Sequence, residues 1–322
     1  MKSKDRSTIY FVIILFFIIA FGFIKPPGKS FLLQSISNTA HIPAFGFLAL
    51  SLLGLSRHIL HQKLKNPFHH YAIAFGISSL LGILTEYIQM FGPRDADIWD
   101  VVRNEAGIII FLGFCLWRDT KPVSLFSATI KNLRKALFVL LSLMVVLSLA
   151  PIALWGGAYL YRNNSFPVIC EFDSSLEEVF WEIDQAKISR VSGPEEWGKV
   201  DGDKVCQVKF IPDQYSGFGI LEPVRDWSFY NYLEFEIFSP LDSISRIAIR
   251  IEDYRHDSNY SDRFNRLIEI NPGHNAIVIP LSEIQNGPQD RKLDMNSIAA
   301  IVFFAVRPAQ PFTLYFDNIR LE

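Results

Sequence analysis

Seven polar residues set in or beside apolar stretches are the first whose types and spacing could do chemistry: His41, Glu86, Gln89, Arg94, Asp97, Asp100 and Asn104. An ionisable side chain at the centre of a bilayer costs about 2.5–3.5 kcal/mol even on the mildest scales, so its position carries information. Asp97, Asp100 and Asn104 are spaced i, i+3, i+7, and Glu86 and Gln89 are spaced i, i+3, so each set shares one side of a helix. One polar pocket could collect them all. A histidine with several carboxylates suits acid/base work or, more weakly without Cys or an H-x-x-x-H spacing, a metal. It equally suits recognition of a polar head group. The plainer alternative is interfacial: Arg94 and Arg103 pair with nearby acids, and the acids complement a helix dipole.

A second set lies in the last 160 residues. A saccharide site needs flat aromatic faces for the apolar side of a pyranose and planar polar groups for its hydroxyls. Trp197, Tyr215, Trp227, Tyr254 and Tyr260 supply the first, and Arg250, Asp253, His256 and Arg263 the second. The loop from Tyr254 to Arg263 concentrates them. Trp181 and Phe218 are assigned to packing.

The elements that must position these residues fall into two halves. Of 31 Lys+Arg and 33 Asp+Glu, 15 and 7 precede Leu160, leaving 16 and 26 after it. A basic, apolar half is joined to an acidic one, which makes nucleic acid an unfavourable partner. The first half, residues 1–161, reads as a membrane all-α bundle of about five transmembrane helices, over 8–24, 40–55, 70–91, 98–117 and 136–161. The first run follows KSKDR but has no small-residue cleavage pattern, so it reads as an uncleaved span. Eleven basic residues fall in the N-terminus and in the second and fourth loops, against Lys25, Lys29 and Arg94 in the first and third. The N-terminus is then cytoplasmic, and with five spans everything after about Tyr161 is extracytoplasmic.

The second half, 162–322, changes to short segments of period two, such as YLEFEIF, RIAIRIE and FTLYFDNIRL. Leu233, Phe235 and Ile237 oppose Glu234 and Glu236; Ile247, Ile249 and Ile251 oppose Arg246, Arg250 and Glu252. With turn signals between them and no long helix, about eight strands form an all-β jelly-roll sandwich. Cys170 and Cys206 share this half, where a disulfide could persist. There is no C-x-x-C, no nucleotide-binding Gly-rich loop, no HExxH and no internal repeat.

TAHIPAFGFLAL (Thr39 to Leu50) followed by LTEYIQMFGPRDADIWDVVRNEAG (Leu84 to Gly107) resembles the VanZ-like membrane family, with His41, Ala44, Phe45, Glu86, Gln89, Phe91, Arg94, Asp100, Asn104 and Gly107 in the family's order. The resemblance covers roughly residues 8 to 118. It implies a cell-envelope protein, in a family named for a contribution to teicoplanin resistance, and no settled catalytic mechanism. The second half, from FDSS (Phe172 to Ser175) to LYFDNIRL, resembles carbohydrate-binding modules of the galactose-binding-like kind. That resemblance implies a structural Ca²⁺ held by Glu171 or Asp173 with Asp317.

The expected protein is therefore an envelope protein in contact with membrane lipid. Its sandwich binds a cell-envelope glycan, and its membrane pocket recognises or shields a lipid-linked saccharide. Two alternatives stay open: an intramembrane enzyme using Glu86 or Asp100 as acid/base with His41 assisting, and a membrane-anchored adhesion or docking module.

Overall fold

The computed structural model describes Ile9 and residues 30–91, 97–119, 130–199 and 202–322, with the backbone alone at 130 and 131. The chain divides into two compact units, Met1–Trp155 and Gly156–Glu322.

Four long helices open the described chain: α1 (Phe31–Leu60), α2 (Pro67–Gln89), α3 (Ile98–Arg118) and α4 (Ile130–Ser165). Their starts follow local chemistry. Ser30 caps α1 through Leu33 N, Asn66 caps α2 with Pro67 in the first turn, and Asp97 caps α3 by accepting from Trp99 N. Three helices are long and apolar enough to cross a membrane: Phe31–Leu60, Pro67–Gln89 and Asn132–Ser165. The expected second, third and fifth spans are thus helices, longer than the apolar runs alone suggested at α1 and α4. The expected span 98–117 is a helix too, but α3 carries Asp100, Arg103 and Glu105 in its first turns and is not apolar enough by the same measure. The first expected span, 8–24, lies outside the described residues apart from Ile9.

Two glycines set how closely the helices of this unit pack. A Cβ on Gly107 of α3 would lie 2.1 Å from the carbonyl oxygen of Ile42 in α1, and one on Gly46 would meet the Phe111 ring at 2.3 Å. Small residues let helix backbones approach in just this way. Around this contact Phe45, Leu48, Ala49, Ala74 and Ile108 form the apolar core of the unit.

The second unit is an antiparallel β-sandwich of two sheets. One sheet runs β3 (Ala186–Ser192), β4 (Lys204–Phe210), β11 (Phe312–Leu321), β6 (Tyr232–Ser239), β9 (Gly273–Pro280), with β1 (Val168–Cys170) also on β11. The other runs β2 (Trp181–Asp184), β5 (Tyr215–Leu221), β10 (Ile298–Val306), β7 (Ser245–Asp253), β8 (Phe264–Ile270). The alternations read in β6 and β7 hold: Leu233, Phe235, Ile237, Ile247, Ile249 and Ile251 are all buried. Phe303 sits at the centre of the core, 5.4 Å from the Phe218 ring, 5.2 Å from Phe235 and 5.3 Å from Phe316. Phe218 therefore packs inward as expected. The sandwich has more strands than the eight expected, because the short β1, β2 and β3 carry weak alternation.

Cys170 and Cys206 are buried free thiols, so the pair is not a disulfide. Burial pushes both thiols up, away from the reactive thiolate. A maleimide added at neutral pH is expected to label neither until the sandwich is unfolded by denaturant. Labelling of the native protein by mass spectrometry would contradict the burial.

Candidate functional site

Within the helical unit the expected polar set converges. His41 is fully buried on α1, Glu86 and Gln89 are buried on α2, and Asp100 and Asn104 are buried in the first two turns of α3. The His41 Nδ1 is 2.9 Å from Asn104 Oδ1, and its Nε2 is 3.4 Å from Asp100 Oδ2. Glu86 Oε2 accepts from the Asp97 backbone N–H at 3.4 Å, so a carboxylate from α2 faces the positive end of α3. Arg103 bonds Asp100 and lies 3.4 Å from Asp97. His41, Glu86 and Asp100 offer ligand atoms that all lie within 4.8 Å of one another. The interfacial alternative is realised in part, since Arg103 does pair with the acids of α3. Arg94 lies outside the described residues.

The set is brought together by the close approach at Gly107. Ile42 follows His41, and Asn104 lies one turn before Gly107, so the backbone contact of α1 with α3 holds the imidazole against the carboxamide. Both ring nitrogens of His41 thus face acceptor oxygens, the Asn104 carboxamide at Nδ1 and the Asp100 carboxylate at Nε2.

In the sandwich, the seven expected ligand residues separate. Tyr215, Arg250 and Arg263 come together on the outer face of the five-stranded sheet. On β5, Ser216, Phe218 and Ile220 are buried while Tyr215 is 47% exposed. The register puts Gly219, Val302, Arg250 and Asn265 in one row, while Tyr215 pairs with Val306 four residues along β10 and reaches the Arg263 charge through its side chain. Tyr215 meets the Phe304 ring edge-on at 5.7 Å, and Tyr260, 70% exposed, has the Arg263 guanidinium 5.4 Å from its ring centre. Gly217 has no room for a side chain, because a Cβ there would lie 2.6 Å from Phe304 Cα. Gly217 and Gly219 are buried beneath the neighbouring β10 residues, with Val302 Cγ2 3.1 Å from the Cβ position of Gly219. Glu252 lies 3.3 Å from Arg250 Nε and 3.6 Å from His256 Nε2. Phe304, Glu252 and Asn265 were missed as site residues; the alternation of IAAIVFFAV, RIAIRIED and FNRLIEI carried their outward direction.

The other four expected ligand residues do different work. Trp227 is fully buried, its indole N–H donating to Val224 O at 2.8 Å, so it is core. Asp253 is buried and receives Arg291 Nη2 at 2.8 Å and the Asp294 N–H at 2.8 Å. Arg291 also bonds Asp262 at 3.0 Å, tying the 254–263 loop to β7. Burial alone would raise Asp253, but the Arg291 guanidinium holds it below the usual carboxylate range; Arg291 likewise holds Asp262 well below that range. Tyr254 lies under the Arg225 guanidinium, 4.3 Å from the ring centre. Trp197 packs on the other sheet, stacked on Phe238 at 5.7 Å with Lys199 Nζ 4.6 Å from its own ring centre.

The expected calcium ligands do not fit a calcium site. Ca²⁺ takes six to eight oxygens. Asp317 instead lies 2.6 Å from Lys199 Nζ, Asp173 accepts the Lys204 N–H at 2.7 Å, and the Glu171 side chain is exposed. Burial raises Asp317, while Asp317 and Glu236 together hold the Lys199 ammonium above its ordinary value. A lysine thus stands where the cation charge was expected. A second group, His256, Asp257 and Asp262, has ligand atoms within 4.8 Å of one another, but its Asp262 is committed to Arg291.

No family model matches the chain, and no curated protein does. Solved structures match the sandwich half. The family 11 carbohydrate-binding module from Clostridium thermocellum, in complex with a β-1,3-1,4-mixed-linked tetrasaccharide, is 23% identical over 48% of this chain and 93% of that one, with TM-score 0.37. A family 30 carbohydrate-binding module is 16% identical over 44% and 91%, with TM-score 0.35. An exo-β-agarase is 18% identical over 48% of this chain and 24% of the enzyme, with TM-score 0.39.

Proposed function

We propose that this chain is a membrane-anchored glycan-binding protein of the cell envelope. The helical unit holds it in the cytoplasmic membrane with the N-terminus inside, through three long apolar helices, two of which pack against α3, and through the apolar run of sequence at 8–24. The sandwich lies outside the cytoplasm and takes a saccharide on the outer face of its five-stranded sheet. The observation that carries this reading is the joining, on one solvent-facing surface, of exposed Tyr215 and Tyr260 with Arg250 and Arg263. Aromatic rings offer a flat apolar face to a pyranose, and the planar guanidinium groups offer paired donors to its oxygens.

The test is calorimetric titration of the full chain in detergent micelles with a panel of neutral and acidic oligosaccharides. Tyr215→Ala and Tyr260→Ala are each expected to weaken binding about 5-fold, from about 1 kcal/mol of ring contact. Unchanged affinity in the double variant would remove this face as the site. Placement outside the cytoplasm is checked by protease added to intact spheroplasts, which should cleave in the sandwich.

The converged His41, Asn104, Asp100 and Glu86 set supports a second role at the helical unit, recognition of a lipid-linked head group. The same set favours a second reading, acid/base chemistry, in which Asp100 orients the imidazole and Glu86 exchanges the proton. If Glu86→Gln and Asp100→Asn keep the full cellular phenotype, including any glycopeptide resistance, that chemistry is excluded.

A further inference from the structure

At the β7–β8 side of the outer face charge is locally unbalanced, although Glu182 and Asp184 lie on the same face at its β2 edge. Arg250 and Arg263 stand side by side, and among the described residues the one acid within ion-pair distance of either is Glu252, which His256 shares. Among the described residues Arg263 has no carboxylate within ion-pair distance. Several other guanidinium groups on this sandwich are paired: Arg291 with Asp253 and Asp262, Arg320 with Glu234 and Glu322, Arg246 with Glu269. Arg263 Nε is buried without a hydrogen-bond partner, as is Asn265 Oδ1 beside it, and Arg250 Nε has only the 3.3 Å approach of Glu252, without a hydrogen bond. Burial, and then the charge of Arg250, push Arg263 below the ordinary arginine value, although no physiological pH deprotonates it. Two half-buried cations held together, with unmet hydrogen-bonding capacity, is a costly arrangement that an anion relieves.

Resting on the glycan-binding reading, we infer that the saccharide taken by this face is acidic, a pyranose bearing a carboxylate or phosphate that lies between Arg250 and Arg263 while Tyr215 and Tyr260 contact its rings. Glu252 pairs with Arg250 and neutralises only one of the two guanidinium charges, and Asn265 Oδ1 is an acceptor for a ring hydroxyl. A neutral glycan would leave the excess positive charge uncompensated, so charge on the ligand sets the affinity and the rings set the class.

The probes are oligomers of glucuronate, galacturonate and mannuronate, each beside its methyl ester, with a phosphorylated mannan oligosaccharide as the phosphate arm. Binding is measured on the full chain in a zwitterionic detergent. The acids are expected to bind about 10- to 100-fold more tightly than their esters, the range for a charge-assisted hydrogen bond, and to weaken with added salt. Tight binding of the phosphorylated oligosaccharide alone assigns the anion as phosphate. Arg263→Gln is expected to remove the preference for acid over ester while leaving the thermal midpoint unchanged or raised, because it relieves repulsion. Arg250→Gln repeats the binding measurement independently.

Equal affinity for acids and esters overturns the inference and leaves the glycan-binding reading standing. Failure of every acid and ester, together with every neutral oligosaccharide, overturns that reading and the inference with it. Acid binding that survives both arginine substitutions places the anion elsewhere and also overturns the inference, as does a large fall in thermal midpoint on Arg263→Gln, which would make the residue structural.

Discussion

Replacing Arg291 by alanine lowers the stability of the β-sandwich by about 3–5 kcal/mol, the usual cost of leaving one partner of a buried pair uncompensated. Asp253 is 1% exposed, and its two oxygens accept from Arg291 and from the Asp294 and Arg255 N–H groups. With Arg291 gone, the carboxylate stays buried with too few donors, and the 254–263 loop loses its tie through Asp262. The pH dependence has a definite sign. Asp253 and Asp262 are held below their unfolded values, so in the wild type their contribution is present above about pH 4 and is lost as pH falls through the lower folded values. In the variant Asp253 keeps only the Asp294 and Arg255 N–H groups against its burial, so its stabilisation above about pH 4 shrinks. The variant and wild type therefore differ most near neutrality and converge in acid. Hydrogen-exchange protection of β7 and β10 amides against pH reads this directly. A variant equally destabilised at pH 3 and pH 7 would contradict it.

Gly107→Val is expected to disrupt the helical unit. A Cβ at 107 would lie 2.1 Å from the Ile42 oxygen and 2.8 Å from its carbonyl carbon, both backbone atoms that no rotamer change can move. Overpacking of this kind costs about 1–3 kcal/mol when neighbours can adjust and more when they cannot. The same shift separates His41 from Asn104, so the polar set should be lost with the packing. Gly76→Ala is the control: nothing lies within 4 Å of its Cβ position, and helix propensity favours alanine by up to about 1 kcal/mol. The thermal midpoint in mild detergent should fall sharply for Gly107→Val and hold or rise for Gly76→Ala. Similar midpoints for both would show that close approach at Gly107 does not govern the unit.

Between them these two sites divide what is readable along the chain from what is not. The helical polar set was legible because a helix has a fixed period: Asp100 and Asn104, or Glu86 and Gln89, share a side wherever the helix lies, and short connections bring α2 against α3. The charges in the first turns of α3 were legible as well, yet they also take that helix out of the class apolar enough to span on its own. In the sandwich, alternation assigned the inward residues of β6 and β7 correctly, because each strand has one dry and one wet face.

Pairing between strands is not written in any local period. Arg250 and Arg263 belong to one charged cluster only because β7 hydrogen-bonds to β8, and Tyr215 joins them because β10 lies between β5 and β7. Trp227 and Tyr215 looked alike as aromatic candidates; sheet packing buried one and left the other in water. Asp253 and Arg291, 38 residues apart, and Lys199 and Asp317 are joined by chain return alone. Composition, period and spacing by themselves determined two solvents, a helical half with a polar set on one side of each helix, and a β-sandwich half with wet and dry faces. The tertiary structure alone decided which distant charges neutralise one another and which two arginines are left with a single shared acid, because Coulomb partners are chosen by distance in space.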